Sequence, residues 1–199
     1  MPEGSIVIVD DTPANLNVLA SILSREGYKV RPANNGAVAL TVVQHALPDL
    51  ILLDIQMPGM NGYEVCRRLK EQEHARDIPV IFISALDDAS DKVEAFRVGG
   101  VDYISKPFQI EEVLARVENQ LVLLRQRRTI ASLSARQAEL MRLLGDTLRG
   151  PLERMRDGLA LLRAGDPEHS ADALARVDAD LELLRHTLDE LLPEPPAGD

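Results

Sequence analysis

The sequence is short of several residue types, and each shortage narrows what the chain can be. Its 199 residues include no Trp, only 3% aromatic residues and a single cysteine, Cys66. One cysteine excludes an internal disulfide, and its helical surroundings indicate a half-buried structural thiol. No apolar stretch approaches the ~20 residues that span a bilayer. Residues 1–5 lack the features of a signal peptide, so we expect a cytoplasmic protein without membrane association.

Lysine is absent after Lys106, and the net charge of the chain is −10. The segment after residue 125 contains ten Arg against fourteen Asp and Glu, a net charge of −4. An acidic balance of this kind argues against a surface that follows nucleic-acid phosphates. The same segment has no helix-turn-helix pattern. We therefore predict that the chain does not bind DNA.

Short apolar runs alternate with helix-length segments over residues 1–125. The predicted strands are residues 5–10, 29–32, 50–54, 78–84 and 101–104, and the predicted helices begin near Pro13, Gly36, Gly62, Asp88 and Gln109. For the first helix we expect Thr12 as N-cap and Gly27 as the stop signal. This alternation favours an α/β doubly wound, five-stranded parallel sheet in the order 2-1-3-4-5.

Polar side chains follow these apolar runs, and an open α/β sheet binds ligands at the strand C-termini. Asp10 and Asp11 follow the first strand, Asp54 the third and Ser84 the fourth, while Lys106 comes shortly after the fifth. Converging carboxylates require a cation, and oxygen-only ligands indicate Mg²⁺. One carboxylate could then attack phosphorus and form an acyl phosphate. Taken alone, the Asp10-Asp11 pair fits an ordinary loop cap equally well.

Residues 1–125 resemble a bacterial response-regulator receiver domain. The motifs are Val9-Asp10-Asp11, Asp54-Ile55-Gln56-Met57-Pro58-Gly59-Met60-Asn61-Gly62, Ile83-Ser84-Ala85 and Tyr103-Ile104-Ser105-Lys106-Pro107-Phe108. The resemblance implies that Asp54 is the phosphoacceptor and that a cognate histidine kinase supplies the phosphate. It also implies that Asp11, Asp54 and the backbone carbonyl of Gln56 ligate Mg²⁺, with Asp10 acting through water.

The same resemblance assigns roles around the phosphoryl group. Lys106 and Ser84 would contact it, and Ser84 with Tyr103 would form a switch pair. The Lys106–Pro107 peptide bond would be cis, which an X-Pro bond readily allows. Taken alone, Tyr103 fits a packed sheet residue better than a switch.

Residues 126–192 have a different pattern, because apolar residues recur there at three-four spacing in two segments. They are Met141, Leu144, Leu148, Leu152, Met155, Leu159 and Leu162, followed by Leu174, Val177, Leu181, Leu184, Leu188 and Leu191. Two such helices predict an αα-hairpin, and two hairpins can form a four-helix bundle. We expect a homodimer through residues 126–192; the alternative is a hairpin folded onto its own first domain. Residues 193–199 read as a disordered tail.

Residues 144–152 resemble the dimerisation and histidine-phosphotransfer helix of sensor histidine kinases. Asp146 stands where that family has its phosphorylated histidine, Thr147 replaces the adjacent acidic residue, and Pro151 matches the family's proline. An aspartate cannot replace imidazole as a phosphoramidate carrier. We therefore interpret the hairpin as a degenerate kinase module that lacks the histidine.

These patterns predict a dimeric signalling adaptor that is controlled by phosphorylation and is not an enzyme. Its output would be binding to a downstream protein partner, with a kinase among the candidates. The alternative is a phosphotransferase or phosphatase that acts on a partner regulator through Asp146 and Thr147. A metal-dependent hydrolase with Asp54 as nucleophile is a weaker reading, since other motifs of such hydrolases are missing.

Overall fold

A computed structural model of the protein describes residues 4–85, 89–164 and 167–191. The strands are β1 (Ser5–Val9), β2 (Lys29–Ala33), β3 (Leu50–Asp54), β4 (Val80–Ser84) and β5 (Asp102–Ser105). The helices are α1 (Pro13–Arg25), α2 (Gly36–His45), α3 (Gly62–Glu71), α4 (Ala89–Arg97), α5 (Ile110–Ala164) and α6 (Pro167–Leu191). The chain divides into two compact units, Met1–Arg128 and Thr129–Asp199.

The first unit contains a five-stranded parallel sheet in the order β2-β1-β3-β4-β5, which confirms the predicted fold and strand order. Strands β3 and β4 are buried along their whole length, as expected for parallel strands covered on both faces. Strand β2 is at the edge of the sheet, where Pro32 costs no interior ladder hydrogen bond.

Alternate strand residues fill two apolar cores, one on each face of the sheet, because successive side chains of a strand point in opposite directions. The first core joins Val7, Val9, Ile51, Leu53 and Phe82 to Ala39, Val43, Val65, Leu69 and Ala95 of α2, α3 and α4. The second joins Ile6, Ile8, Leu50, Leu52 and Ile81 to Leu16, Leu19, Leu23, Val113 and Val117 of α1 and α5. Both faces of the sheet are therefore closed to solvent, and the strand ends carry the polar groups.

The structure tests several local predictions. Thr12 is the N-cap residue of α1, as predicted, and has the extended backbone of that position, but its side chain makes no capping hydrogen bond. Its hydroxyl lies 3.4 Å from Asp11 Oδ1, to which it donates. Cys66 is fully buried rather than half-buried, and its thiol donates to the carbonyl oxygen of Val98 at 3.4 Å. The start of α4 predicted near Asp88 lies outside the described residues.

The second unit contains α6 and the part of α5 beyond Arg128. Among the residues that the structure describes in this unit, the buried ones are Pro151, Gly158, Ala173, Val177 and Asp180. A Cβ at Gly158 would lie 2.8 Å from Val177 Cγ2, so the missing side chain allows the helices to approach closely. The tail predicted for residues 193–199 lies outside the described residues. No helix in the described ranges is both long and apolar enough to cross a membrane.

Candidate functional site

Three strand ends bring polar side chains to one edge of the sheet in the first unit. Asp10 directly follows β1, Asp54 is the last residue of β3, and Ser84 is the last residue of β4. They are only 2%, 4% and 0% exposed, respectively. Burying charged groups is unfavourable unless they are paired, so these positions indicate a site rather than a part of the apolar core.

The ammonium group of Lys106 pairs with two of the carboxylates. Its Nζ lies 2.9 Å from Asp10 Oδ2 and 2.9 Å from Asp54 Oδ2. The Lys106 side chain is itself only 19% exposed, so these contacts are weakly screened by solvent. Lys106 follows the end of β5, and its backbone N–H donates to the carbonyl oxygen of Ser84 at 2.7 Å. The register of β4 and β5 thus carries the lysine to the acidic edge.

Asp10 also accepts hydrogen bonds from the start of α1. The backbone N–H of Thr12 donates to its Oδ1 at 2.8 Å. The side-chain amide of Asn15 lies 2.9 Å from Oδ2 and 3.2 Å from Oδ1. Asn15 was not among the predicted site residues. A signal was present, because a side chain in the first turn of a helix leans back towards the helix N-terminus, here towards the end of β1.

The surroundings raise the pKa values of both Asp54 and Lys106 above their ordinary values. Burial raises the pKa of Asp54, and the nearby Asp10 adds to this, while Lys106 and the backbone N–H of Gln56 act in the other direction. Burial alone would lower the pKa of Lys106, but its hydrogen bonds to Asp10 and Asp54 outweigh burial and raise it. Lys106 therefore stays charged beside carboxylates that need a counter-charge.

The donor set fits a hard cation such as Mg²⁺. Asp10, Asp11 and Asp54 each offer a carboxylate oxygen, and these three oxygens lie within 4.8 Å of one another. Asp11 is exposed, so the cluster opens to solvent on one side. Within the described ranges this cluster contains neither His nor Cys, and all-oxygen ligands suit Mg²⁺ better than zinc. The backbone N–H of Gln56 donates to Asp54 Oδ1 at 3.3 Å, while the ligand role of its carbonyl stays a prediction.

The other predicted residues of the first unit lie as follows. Tyr103, in β5, is only 7% exposed, and Lys92 Nζ lies 5.6 Å from the centre of its ring. The Lys106–Pro107 peptide bond is cis. These positions agree with the expected neighbourhood of a switch, but the roles of Ser84 and Tyr103 remain predictions.

The loop between β3 and α3 packs tightly against Asp54. The N–H of Gly62 donates to the carbonyl oxygen of Ile55 at 2.9 Å, and Asn61 caps α3 by accepting from the N–H of Glu64. A Cβ at Gly62 would collide with the carbonyl oxygen of Asp54 and lie 2.9 Å from Ile55 Cα. Only glycine permits this approach, which fixes the backbone at Asp54 and Ile55.

Asp146 lies in the second unit, on an exposed part of α5. Its Oδ2 is 3.1 Å from the Arg142 guanidinium, one helical turn earlier. The neighbouring Thr147 hydroxyl donates to the carbonyl oxygen of Leu143 at 2.8 Å. Both side chains are therefore engaged with their own helix.

The chain is similar to several known signalling proteins. It is 37% identical over 191 residues to Response regulator PleD of Caulobacter vibrioides. This match covers 95% of the present chain and 40% of PleD. It is 41% identical over 112 residues to the DNA-binding dual master transcriptional regulator RpaA of Synechocystis, a match that covers 56% of this chain and 46% of RpaA. A Vibrio cholerae protein named "Probable cyclic di-GMP phosphodiesterase" is 34% identical over 169 residues, covering 82% and 37%. The chain spans less than half the length of these relatives.

These names bear on two predictions. Because a DNA-binding regulator is among the relatives, the prediction that this chain does not bind DNA is not supported. Another relative carries the name of a phosphodiesterase. The prediction that this chain is not an enzyme is therefore supported for the receiver domain only.

Fold comparison gives the same family for the first unit. A response-regulator receiver domain from Francisella superposes with a TM-score of 0.56 and 29% identity, covering 59% of this chain and 96% of that one. A family model described as the response regulator receiver domain matches residues 6–118, more than half of the chain. The chain therefore belongs to the response regulator family and carries a receiver domain.

Proposed function

We propose that the receiver domain accepts a phosphoryl group on Asp54 from a cognate histidine kinase. The observation that carries this proposal is the lysine bridge, in which Lys106 Nζ lies 2.9 Å from both Asp10 and Asp54. Asp54 is the carboxylate that stands at the centre of the sheet edge, between β1 and β4. A buried nucleophile beside a fixed positive charge suits transfer of an anionic phosphoryl group.

In the proposed transfer, a carboxylate oxygen of Asp54 attacks the phosphorus of the kinase's phosphohistidine. A P–O bond forms and the P–N bond breaks, while the imidazole nitrogen keeps the electron pair and takes a proton from water. Lys106 balances charge on the phosphoryl oxygens, and Ser84 donates a hydrogen bond to one of them. Bound Mg²⁺, held by Asp11, Asp54 and the Gln56 carbonyl with Asp10 acting through water, would supply further positive charge.

We further propose that phosphorylation changes the position of the switch pair. The added charge and acceptor oxygens would draw Ser84 and Lys106 inward. Tyr103, at the neighbouring strand, would then repack. The adjoining surface of α4, β5 and the first turns of α5 would change with it and pass the signal on.

The proposed output is a homodimer formed through the second unit, with the degenerate kinase-like hairpin as its interface. Both helices leave apolar side chains in solvent at heptad spacing. Leu174, Leu181 and Leu188 of α6 are 53%, 50% and 43% exposed, and Leu152 and Leu159 of α5 are 54% and 45% exposed. A stripe of this spacing suits packing against other helices.

A second copy of the chain is the occupant that this stripe favours. Charges of both signs flank it, with Arg149, Glu153 and Arg156 on α5 and the ion pair between Glu182 and Arg185 on α6. An isologous dimer places such a surface against itself, so that opposite charges can meet. The resulting four-helix bundle would present its outer face to a downstream protein, with a kinase among the candidates.

The alternative output is a phosphotransferase or phosphatase that uses Asp146 and Thr147 on a partner regulator. Both side chains make hydrogen bonds within α5, to Arg142 and to the Leu143 carbonyl. These contacts hold both side chains along their own helix, but each side chain keeps lone pairs that can accept from water. The exposed apolar stripe, rather than these contacts, favours the adaptor.

The proposed phosphorylation is tested by incubating the full chain with acetyl phosphate and MgCl₂ and measuring its intact mass. We expect one added phosphoryl group on the wild type and none on Asp54→Asn. Asp77→Asn is a matched control, because its carboxylate is 92% exposed and lies in a loop. A wild type that gains no mass, or an Asp54→Asn variant that gains as much as the wild type, would contradict the proposal.

A further inference from the structure

The carboxylate of Asp10 has nearly all of its hydrogen-bonding capacity filled. Oδ1 accepts from the Thr12 N–H at 2.8 Å and faces the Asn15 amide at 3.2 Å. Oδ2 accepts from the Asn15 amide at 2.9 Å and from Lys106 Nζ at 2.9 Å. An ionised carboxylate has about four lone-pair sites, so few remain for a direct metal bond. This is the state expected of a carboxylate that acts on a metal through water.

Asn15 is the only one of these donors that reaches both oxygens of Asp10. The Thr12 N–H fixes one oxygen and Lys106 fixes the other, so neither defines the plane of the carboxylate on its own. A group that spans both oxygens restricts rotation about the bond between the carboxylate and Cβ. Asn15 is half-buried in the first turn of α1, whereas Asn17, two residues later, is exposed.

The side-chain type is also informative. The amide is neutral, so it orients the carboxylate without removing negative charge from the acidic edge. A lysine in this position would cancel that charge, and an aspartate would repel Asp10. An amide therefore combines orientation with a full anionic charge, which is what a cation site needs.

We infer that Asn15 is a positioning residue that orients Asp10 for the magnesium site. This inference rests on the proposed function of that site. Removing a group that hydrogen-bonds to a metal ligand and orients it commonly lowers metal affinity by about 10- to 100-fold. Asn15 contacts neither Asp54 nor Lys106 in the hydrogen bonds above, so its loss should act on magnesium binding more than on phosphoryl transfer.

The experiment is calorimetric titration of the full chain with MgCl₂. Asn15→Leu keeps the approximate size of the side chain but removes the amide, and we expect its Kd for Mg²⁺ to rise about tenfold. Asn15→Gln restores the amide on a longer stem and should recover part of the affinity. Asn17→Leu is the matched control on the same helix and should leave the Kd within about twofold of the wild type.

A second readout separates positioning from general damage to the fold. The initial rate of phosphorylation by acetyl phosphate is measured against MgCl₂ concentration. We expect Asn15→Leu to need about tenfold more Mg²⁺ for half its maximal rate, while the maximal rate itself stays within about threefold of the wild type. Circular dichroism establishes that each variant is folded, and Asn15→Ala replaces Asn15→Leu if the latter is not.

The outcomes distinguish this inference from the proposed function. A folded Asn15→Leu or Asn15→Ala variant that binds Mg²⁺ as tightly as the wild type would overturn the role of Asn15 and leave the phosphoacceptor intact. A tenfold loss that Asn15→Gln does not recover at all would overturn it too, because the amide would not be the cause. A wild type that binds no Mg²⁺ would overturn both.

Discussion

The Arg128 guanidinium lies 2.8 Å from Asp49 Oδ1, and this ion pair ties the last residue of the receiver unit to the start of β3. Asp49 Oδ2 also accepts from the backbone N–H of Ser5 at 2.9 Å, and the Asp49 N–H donates to the Ser5 carbonyl oxygen at 2.7 Å. Ser5 begins β1, so the pair lies at the sheet edge opposite to Asp10 and Asp54. It holds α5 to the sheet at a point remote from phosphorylation.

Asp49→Asn should destabilise the receiver unit in a pH-dependent way. Burial would raise the pKa of Asp49, but its hydrogen bonds from Ser5 and Arg128 lower it below the ordinary 3.8. A lowered carboxyl pKa contributes stability above the unfolded value, and the contribution is lost as the pH falls through the folded value. Because Arg128 is 63% exposed, we expect a contribution of only about 1 kcal/mol to the unfolding free energy near pH 7. The contribution should shrink progressively as the pH falls below 3.8.

Urea unfolding followed by tyrosine fluorescence measures this change. The chain has no Trp, and its three tyrosines, Tyr28, Tyr63 and Tyr103, all lie in the first unit, so the signal reports that unit alone. Asp77→Asn serves as the control, because its exposed carboxylate should leave the unfolding free energy nearly unchanged. A difference between Asp49→Asn and the wild type that stays constant from neutral to acid pH would contradict the electrostatic origin.

Gly62→Ala should impair both stability and phosphorylation. The new Cβ would press on the carbonyl oxygen of Asp54, and neither that backbone nor Ile55 can move without disturbing β3. We expect a loss of about 1–3 kcal/mol in unfolding free energy and slower phosphorylation by acetyl phosphate. Gly145→Ala is the control, since its Cβ would meet nothing within 4 Å. Equal phosphorylation rates for Gly62→Ala and the wild type would show that the close approach does not position Asp54.

Cys66 should resist thiol reagents in the folded protein. Burial raises the pKa of its thiol to about 11, from the ordinary 9.0. The reactive thiolate is therefore about 100-fold scarcer at neutral to mildly alkaline pH, and burial restricts access further. We expect reaction with a disulfide reagent at about pH 8 to be at least ~100-fold slower in native buffer than in concentrated urea. Similar rates in the two solvents would mean that the reagent reaches Cys66 on α3 in the folded protein.

Leu181→Arg should abolish the proposed dimer, whereas Leu183→Arg should not. The two leucines are equally exposed, at 50% each, but only Leu181 lies on the heptad stripe with Leu174 and Leu188. An arginine on the stripe would place a charge in the apolar interface. Sedimentation equilibrium should give about twice the 21.9 kDa chain mass for the wild type and Leu183→Arg, and the monomer mass for Leu181→Arg. Identical behaviour of the two variants would place the interface elsewhere.

The sequence was most informative where every residue of a run is apolar. Residues 50–54 have the predicted bounds, because Leu50–Leu53 form an unbroken apolar run that ends at Asp54. Strand β4 begins at Val80 rather than at residue 78. Pro79 has no N–H for a ladder bond, and the carbonyl oxygen of Ile78 accepts from Lys70 Nζ instead, at 2.7 Å.

Polar partners were the part of the structure that periodicity could not predict. Asn15 was missed because its role depends on where the start of α1 meets the end of β1. Asp180 was missed because the predicted stripe of α6 contained apolar residues only. Asp180 is 8% exposed between the helices, where the Arg154 guanidinium donates two hydrogen bonds to its carboxylate. Such pairs depend on three-dimensional contacts that hydrophobic spacing does not encode.

The central claim is that the carboxylate of residue 54 becomes an acyl phosphate, and trapping that bond tests it most directly. The protein is treated with acetyl phosphate and MgCl₂ and then reduced with borohydride, which converts an aspartyl phosphate to homoserine. Peptide mass mapping then locates the change. We predict homoserine at position 54 and unmodified Asp10 and Asp11. Homoserine at another aspartate, or at none, would contradict the account.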